Sequence, residues 1–313
     1  MRSRISGNLL LRFCALPLLL LASQLCSAAL AKQDGFKGPG PFEVSMSSVD
    51  DQGLMFAPAG SPPQGSWPAV VFAHGLCGPA EKYSSTLTRL ASWGFVVLAS
   101  QQQGDCGVMN VDHPFTTLGN LFQLPVKFSN AVDFSGMADD IRSNLRYLQS
   151  RSDVDPKRLA LMGHSMGGAV GVKRAAADDR IELLVSLAGM VHTAKFAKVE
   201  FGEETPGSGF MWGKKDCPLS RAFVDDMNQI GSVLDLGGQI KVPWLLVHGT
   251  VDDVVPIAES REIFAQAQDP KELGEIENCD HVFDAETDPE SLPIMVRKVT
   301  EWLLPKTMAS LQS

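Results

Sequence analysis

The polarity pattern along the chain changes character twice. Residues 1–31 begin with Arg2, Arg4 and Arg12, run apolar over 13–22 and close on the small residues around Ala29-Leu30-Ala31. That is the order of a secretory leader, with a positive front, an apolar centre and a small-residue cleavage site. Pro17 and the Ser23-Gln24 pair interrupt the apolar run, so cleavage after Ala31 is expected in preference to retention as a membrane anchor. Residues 32–66 are rich in Gly, Pro and Ser, with β-like pieces at 42–47 and 53–57, and read as a peripheral lead-in with edge strands.

From Pro68 onward the pattern is that of buried strands alternating with helices. Ala69-Val70-Val71-Phe72-Ala73 is apolar at every position and ends at His74-Gly75, as expected of a strand covered on both faces of a parallel sheet. Phe95-Val96-Val97-Leu98-Ala99 repeats it after a helical stretch over 80–93 closed by Gly94. Phe134, Met137, Ile141, Leu145 and Leu148 share one helical face. Asp155-Pro156 predicts a turn, with a strand at 159–162 and a helix of small residues at 167–177 after it. Strands at 183–187, 242–247 and 273–276 then alternate with a helix at 257–267, and a last helix opens at Asp288-Pro289 with Leu292, Met295, Val296, Val299 and Trp302 inward. Such alternation predicts an α/β class domain over 67–313 with a doubly wound, mostly parallel sheet. Two long connections, 101–131 and 190–240, carry aromatic residues without strand character; segments this long are expected to be binding loops, the second a lid-like insertion.

Composition narrows the classes. The chain of 313 residues is 44% hydrophobic and 20% charged, which excludes a disordered or repetitive protein. A net charge of −9 without any basic run argues against nucleic acid as a partner. Loss of residues 1–31 removes three basic and no acidic residues, taking the charge to −12, and leaves Cys77, Cys106, Cys217 and Cys279. An even number of cysteines in an exported chain suggests disulfides. Neither a metal-binding motif nor a dinucleotide fingerprint is present, so no metal and no cofactor is expected.

The chemistry concentrates in three places. Gly163-His164-Ser165-Met166-Gly167 follows an apolar strand and opens a helix, the setting of a nucleophile elbow. A serine hydroxyl is a weak nucleophile and needs a histidine to take its proton and a carboxylate to orient that histidine. Asp252 or Asp253 lies just past the end of the 242–247 strand, and His281 follows the 273–276 strand. Groups at strand carboxyl ends converge in open α/β sheets, so distance along the chain is no obstacle. His74, His164 and His248 are expected to serve the backbone as hydrogen-bonding scaffold.

These residues identify the chain as a member of the α/β-hydrolase fold over about 68–304. The resemblance rests on His74-Gly75, the 163–168 elbow, Gly249-x-x-Asp252-x-x-Val255-Pro256 and Asp280-His281. Within that fold it resembles the dienelactone-hydrolase-like, chlorophyllase-like and cutinase-like polyesterase group, although Ser165 stands where dienelactone hydrolases proper carry cysteine. The resemblance implies Ser165 as nucleophile, His281 as general base and acid, and Asp252 as its partner, with Asp253 a solvated neighbour. It also implies an oxyanion hole of the backbone N–H groups of Met166 and Leu76. With those loops assigned, Cys77–Cys106 and Cys217–Cys279 are the expected bridges. The implied protein is a secreted or periplasmic serine hydrolase of carboxylic esters, acting on a small-molecule or polymeric substrate of apolar character, with no membrane span after leader cleavage. An amidase or peptidase, or a non-catalytic binding module, would use the same fold.

Overall fold

The apolar runs become neighbouring strands with both faces covered. A computed structural model describes residues 36, 38–49, 52–62, 65–76, 78, 80–100, 134–201, 210–211, 214–218, 221–283 and 291–309. The strands are β1 (Val44–Val49), β2 (Gly53–Pro58), β3 (Trp67–Ala73), β4 (Val96–Ser100), β5 (Val154–His164), β6 (Leu183–Leu187), β7 (Phe210–Met211), β8 (Lys214–Pro218), β9 (Trp244–Gly249) and β10 (Lys271–Ile276). The helices are α1 (Ser84–Ser92), α2 (Phe134–Ser150), α3 (Met166–Ala175), α4 (Thr193–Phe201), α5 (Arg221–Ile230), α6 (Ile257–Gln266) and α7 (Ser291–Ala309). Eight strands form one sheet in the order β1-β2-β4-β3-β5-β6-β9-β10. Within it β4, β3, β5, β6, β9 and β10 pair in parallel, whereas β2 runs against both β4 and β1. This is the doubly wound, mostly parallel sheet of the α/β-hydrolase fold.

The period-two alternation of a strand assigns its residues to two cores. On β3, Trp67, Ala69, Val71 and Ala73 face the core under α2, α3 and α6, while Val70 and Phe72 face the core under α1 and α7. On β9, Trp244 and Leu246 take the first side and Leu245 and Val247 the second. The α2 stripe of Met137, Ile141, Leu145 and Leu148 is buried to 1% exposure or less, each side chain contributing about 2 kcal/mol. In α7, Met295, Val296, Val299 and Trp302 are buried as their spacing predicts.

Two local expectations change. The turn at Asp155-Pro156 is absorbed into β5 as an irregularity: Trp67 pairs with Val154 and Ala69 with Leu159, so the β5 side carries extra residues. Asp155 stabilises this bulge by accepting the Lys157 N–H at 3.0 Å and the Arg158 Nε–H at 2.8 Å. Within 190–240, helices α4 and α5 and the small β7–β8 hairpin form, and Phe196, Val224 and Met227 are buried in the core under α2 and α3. That part of the connection packs the domain. Residues 1–31 and 101–131 lie outside the described residues, as do Cys77 and Cys106, and Cys217 is described only through its backbone in β8. The described residues contain no disulfide, and Cys279 is fully buried. No helix among them is long and apolar enough to cross a membrane.

Candidate active site

The strand order locates the site. From β3 the chain moves to β4 on one side of the sheet, then crosses to β5 on the other, and the carboxyl ends of β3 and β5 flank the switch point where ligands bind in open α/β sheets. His74-Gly75-Leu76 leaves β3 at that point, and Ser165 leaves β5.

Ser165 sits on a turn that only close backbone packing can hold. Its φ of 55° and ψ of −121° are unfavourable for a residue with a side chain. The flanking glycines show what forces the turn. A Cβ on Gly163 would lie 2.1 Å from the Gly167 carbonyl oxygen, and a Cβ on Gly167 would lie 2.1 Å from that of Ala73. Backbone bonds complete the turn: Ser165 N–H donates to Leu187 O at 2.9 Å, and Ser165 O accepts from Gly168 and Met190 at 2.9 and 3.0 Å. Met166 is the first residue of α3, so its N–H has no acceptor within the helix. Leu76 is half-buried in the loop after β3.

The carboxylate and histidine are joined directly. His281 Nδ1–H donates to Asp252 Oδ2 at 2.8 Å, whereas Asp253 is exposed. Gly249 makes the approach possible, because a Cβ there would lie 2.1 Å from the Cys279 carbonyl oxygen. Asp252 Oδ1 accepts the N–H groups of Val254 and Val255 at 2.9 and 2.8 Å. His248 Nε2–H is shared between Val255 O at 2.8 Å and Asp252 Oδ2 at 3.0 Å. Both of those partners are acceptors, so His248 carries its proton on Nε2 and accepts at Nδ1 from Ser260 Oγ–H, 2.7 Å away. Burial opposes ionisation of Asp252, but the bonds from His248 and His281, the charge of His281 and the Val255 N–H outweigh it and hold the carboxyl well below the usual carboxylate range. Asp280, the neighbour of His281, serves its own turn by accepting the Val282 N–H at 2.9 Å.

The elbow and the histidine loop meet through His164. Its Nε2–H donates to the backbone carbonyl of His281 at 2.9 Å, its Nδ1 accepts from the Tyr83 hydroxyl at 2.8 Å, and its ring lies 4.9 Å from that of His281. Burial, aided by the neighbouring His281, pushes the His164 pKa down to about 3, so the ring is neutral at ordinary pH. Tyr83 and Ser260 carry no motif, and their partners lie 81 and 12 residues away in sequence; spacing alone could not have found Tyr83. His192 bonds through Nε2 to Glu262 Oε2 at 2.7 Å; His113 lies outside the described residues. The described residues contain no cluster of ligands suited to a metal ion.

Comparison with known proteins now adds to the geometry. The model of the prolyl oligopeptidase family matches residues 131–291, just over half of the chain. The chain belongs to this family. The chlorophyllase model also matches, over residues 43–191, and together the two place this member of the prolyl oligopeptidase family in the α/β-hydrolase serine hydrolase group. YfhR, an uncharacterized protein of Salmonella typhimurium, is 31% identical over 154 residues, 47% of this chain and 48% of the relative. The match thus spans about half the length of that relative. Est1E of Butyrivibrio proteoclasticus, solved with ferulic acid bound, superposes with a TM-score of 0.60 at 20% identity, over 85% of this chain and 99% of its own. The monoacylglycerol lipase of Paleococcus ferrophilus gives a TM-score of 0.57 at 21% identity, over 84% of this chain and 99% of its own. At these identities both show a shared fold.

Proposed function

We propose that the protein is an exported serine hydrolase that cleaves carboxylic esters through an acyl-enzyme on Ser165. The observation that carries this reading is the Asp252–His281 hydrogen bond, formed at the same end of the sheet as a strained serine whose neighbour His164 has its ring 4.9 Å from that of His281. Asp252 holds His281 with its proton on Nδ1, which leaves Nε2 as the basic nitrogen. In the first step Nε2 takes the Ser165 proton as Oγ attacks the ester carbonyl, and the N–H groups of Met166 and Leu76 receive the oxyanion. As the tetrahedral intermediate collapses, His281 returns the proton to the departing alkoxide and the alcohol leaves. Water, deprotonated by the same nitrogen, then attacks the acyl-enzyme and releases the carboxylic acid and free Ser165.

Val251, Val254 and Val282 stand 55%, 38% and 44% exposed beside Asp252 and His281. An apolar margin next to the catalytic groups supports a substrate with an acyl chain, an aryl group or a polyester segment. The leader-like residues 1–31 support export, with 32–66 as the lead-in and 67–313 as the hydrolase domain, the insertion lying at about 190–240. Membership of the prolyl oligopeptidase family favours a second reading, amide or peptide cleavage by the same groups. A series of p-nitrophenyl esters of increasing acyl length, assayed beside peptide p-nitroanilides, separates the two. Turnover of the esters that disappears in Ser165→Ala, together with loss of fluorophosphonate labelling, is the expected result. Labelling retained on another serine overturns the assignment.

A further inference from the structure

Between the loop after β3 and the loop carrying His281 runs a continuous line of hydrogen bonds in which each direction is fixed by chemistry. Gly75 N–H can only donate, and it points at the Tyr83 hydroxyl oxygen at 3.2 Å. The His281 carbonyl can only accept, and it faces His164 Nε2 at 2.9 Å. His164 therefore carries its proton on Nε2 and presents a lone pair at Nδ1, so the Tyr83 O–H must donate to it across their 2.8 Å contact. We propose that Tyr83, through His164, is a positioning residue that fixes the oxyanion loop and the general-base loop relative to each other. This inference rests on the serine hydrolase reading above and assigns a role in that reaction to two residues outside the triad.

The surroundings suit such a role. Tyr83 closes the short 3-10 turn Ala80–Tyr83 ahead of α1, and its ring is wedged against Phe72 of β3, 4.7 Å between centroids, and against His164 at 5.5 Å. The loop after β3 wraps around the hydroxyl so closely that a Cβ on Gly75 or Gly78 would lie 3.2 or 2.9 Å from it. Gly78 N–H donates to Gly75 O at 3.1 Å and closes the loop on itself. The peptide held by Tyr83 thus immediately precedes the one carrying the Leu76 N–H. At the other end, the carbonyl held by His164 belongs to His281 itself. With its proton given to His164 Nδ1 and its oxygen accepting the Gly75 N–H, the hydroxyl is structural support for the oxyanion site and not a donor within it. The low His164 pKa keeps the acceptor at Nδ1 available across the working pH range.

Tyr83→Phe removes one oxygen and keeps the ring packing. The expected result is a fall in kcat of about 10- to 100-fold for a p-nitrophenyl ester with KM changed less than about threefold, since a displacement of well under 1 Å at either loop weakens the transition state more than substrate binding. The low-field proton resonance of His281 Nδ1–H should shift or broaden in the same variant. His164→Gln, whose amide offers one donor and one acceptor, should retain most of kcat, and His164→Leu should lose as much as Tyr83→Phe. The double variant Tyr83→Phe/His164→Leu should be no slower than the worse single one, because both cut the same line. Wild-type kcat in Tyr83→Phe, an equal loss in His164→Gln and His164→Leu, or multiplying losses in the double variant would each overturn the proposal. If Tyr83→Phe does not fold, the glutamine and leucine pair at His164 carries the test. Ester turnover in the wild type that survives Ser165→Ala would instead defeat the serine hydrolase reading, and the His281 resonance in Tyr83→Phe would still decide the coupling.

Discussion

The two halves of the candidate site are built by different forces. Ser165 is held by backbone against backbone: glycines at 163 and 167 let β5, α3 and the end of β3 approach within van der Waals contact, and the strained φ follows from that approach. Asp252 and His281 are held by side-chain and N–H hydrogen bonds converging on one buried carboxylate. A steric clamp is insensitive to pH and fails abruptly when an atom is added. A polar cluster fails in graded steps, one bond or one proton at a time.

The sharpest break is expected on the steric side. Gly167→Ala would gain up to about 1 kcal/mol of helix propensity, but its methyl would sit 2.1 Å from Ala73 O and 2.6 Å from His74 O. Backbone atoms cannot yield as a flexible side chain does, so the elbow must open, at a cost of about 3 kcal/mol or more. The variant should either fail to fold or lose fluorophosphonate labelling of Ser165, measured beside a thermal melt. A folded variant that labels at the wild-type rate would show that the clamp is not what positions the serine.

On the polar side the next largest effect belongs to Asp252→Asn. Oδ1 already accepts two N–H groups, so the new amide nitrogen must turn toward His281 Nδ1 and His248 Nε2, both donors in the native site. His281 can answer only by moving its proton to Nε2, where it no longer accepts one from Ser165. A loss in kcat on the order of 10³- to 10⁴-fold is expected. Asp253→Asn, at an exposed position, should stay within about twofold. Steady-state kinetics of the pair checks both, and the reverse ranking would reassign the acid.

The same contrast explains what could be read from the sequence. The elbow glycines, Asp252 and His281 were legible because close approach and strand-end placement impose residue types at fixed spacings. The sheet was legible because burial on both faces removes polar residues from whole strands. The Asp155-Pro156 turn was misread because a bulge uses the same turn residues inside a strand that continues on either side. The 190–240 connection hid α4 and α5, whose buried Phe196 and Met227 are too widely separated to declare a face. Tyr83 was invisible because a lone tyrosine at the start of a helical run has no periodic or motif signature; only the fold brings it to His164.

Protonation offers a milder way to break the polar half. His164 is buried and neutral in the native state with its pKa lowered from 6.5 to about 3, so the unfolded chain binds a proton there before the folded one does. Stability from this group is complete above about pH 6.5 and is lost as pH falls toward 3, with a slope of at most about 1.4 kcal/mol per pH unit. Asp252 adds a second loss below about pH 4, since its folded pKa is also depressed. Urea unfolding from pH 7 to 4 should show the first decline in the wild type and a flatter one in His164→Gln. Equal slopes would mean that His164 does not stay neutral in the folded protein.

The smallest expected effect tests how far the polar network reaches from the reacting atoms. The Ser260 hydroxyl bonds to His248 Nδ1, and His248 in turn holds Asp252 Oδ2. Ser260→Ala leaves that buried nitrogen without its donor, which costs about 1–2 kcal/mol of stability. Because Asp252 keeps the N–H groups of Val254 and Val255 and its bond to His281, kcat should fall by less than about fivefold. A melt and a single-ester assay on the purified variant give both values. A drop in kcat approaching that of Asp252→Asn would mean that His248 orients the carboxylate more than the loop backbone does, and the polar half of the site would then extend one side chain further into α6.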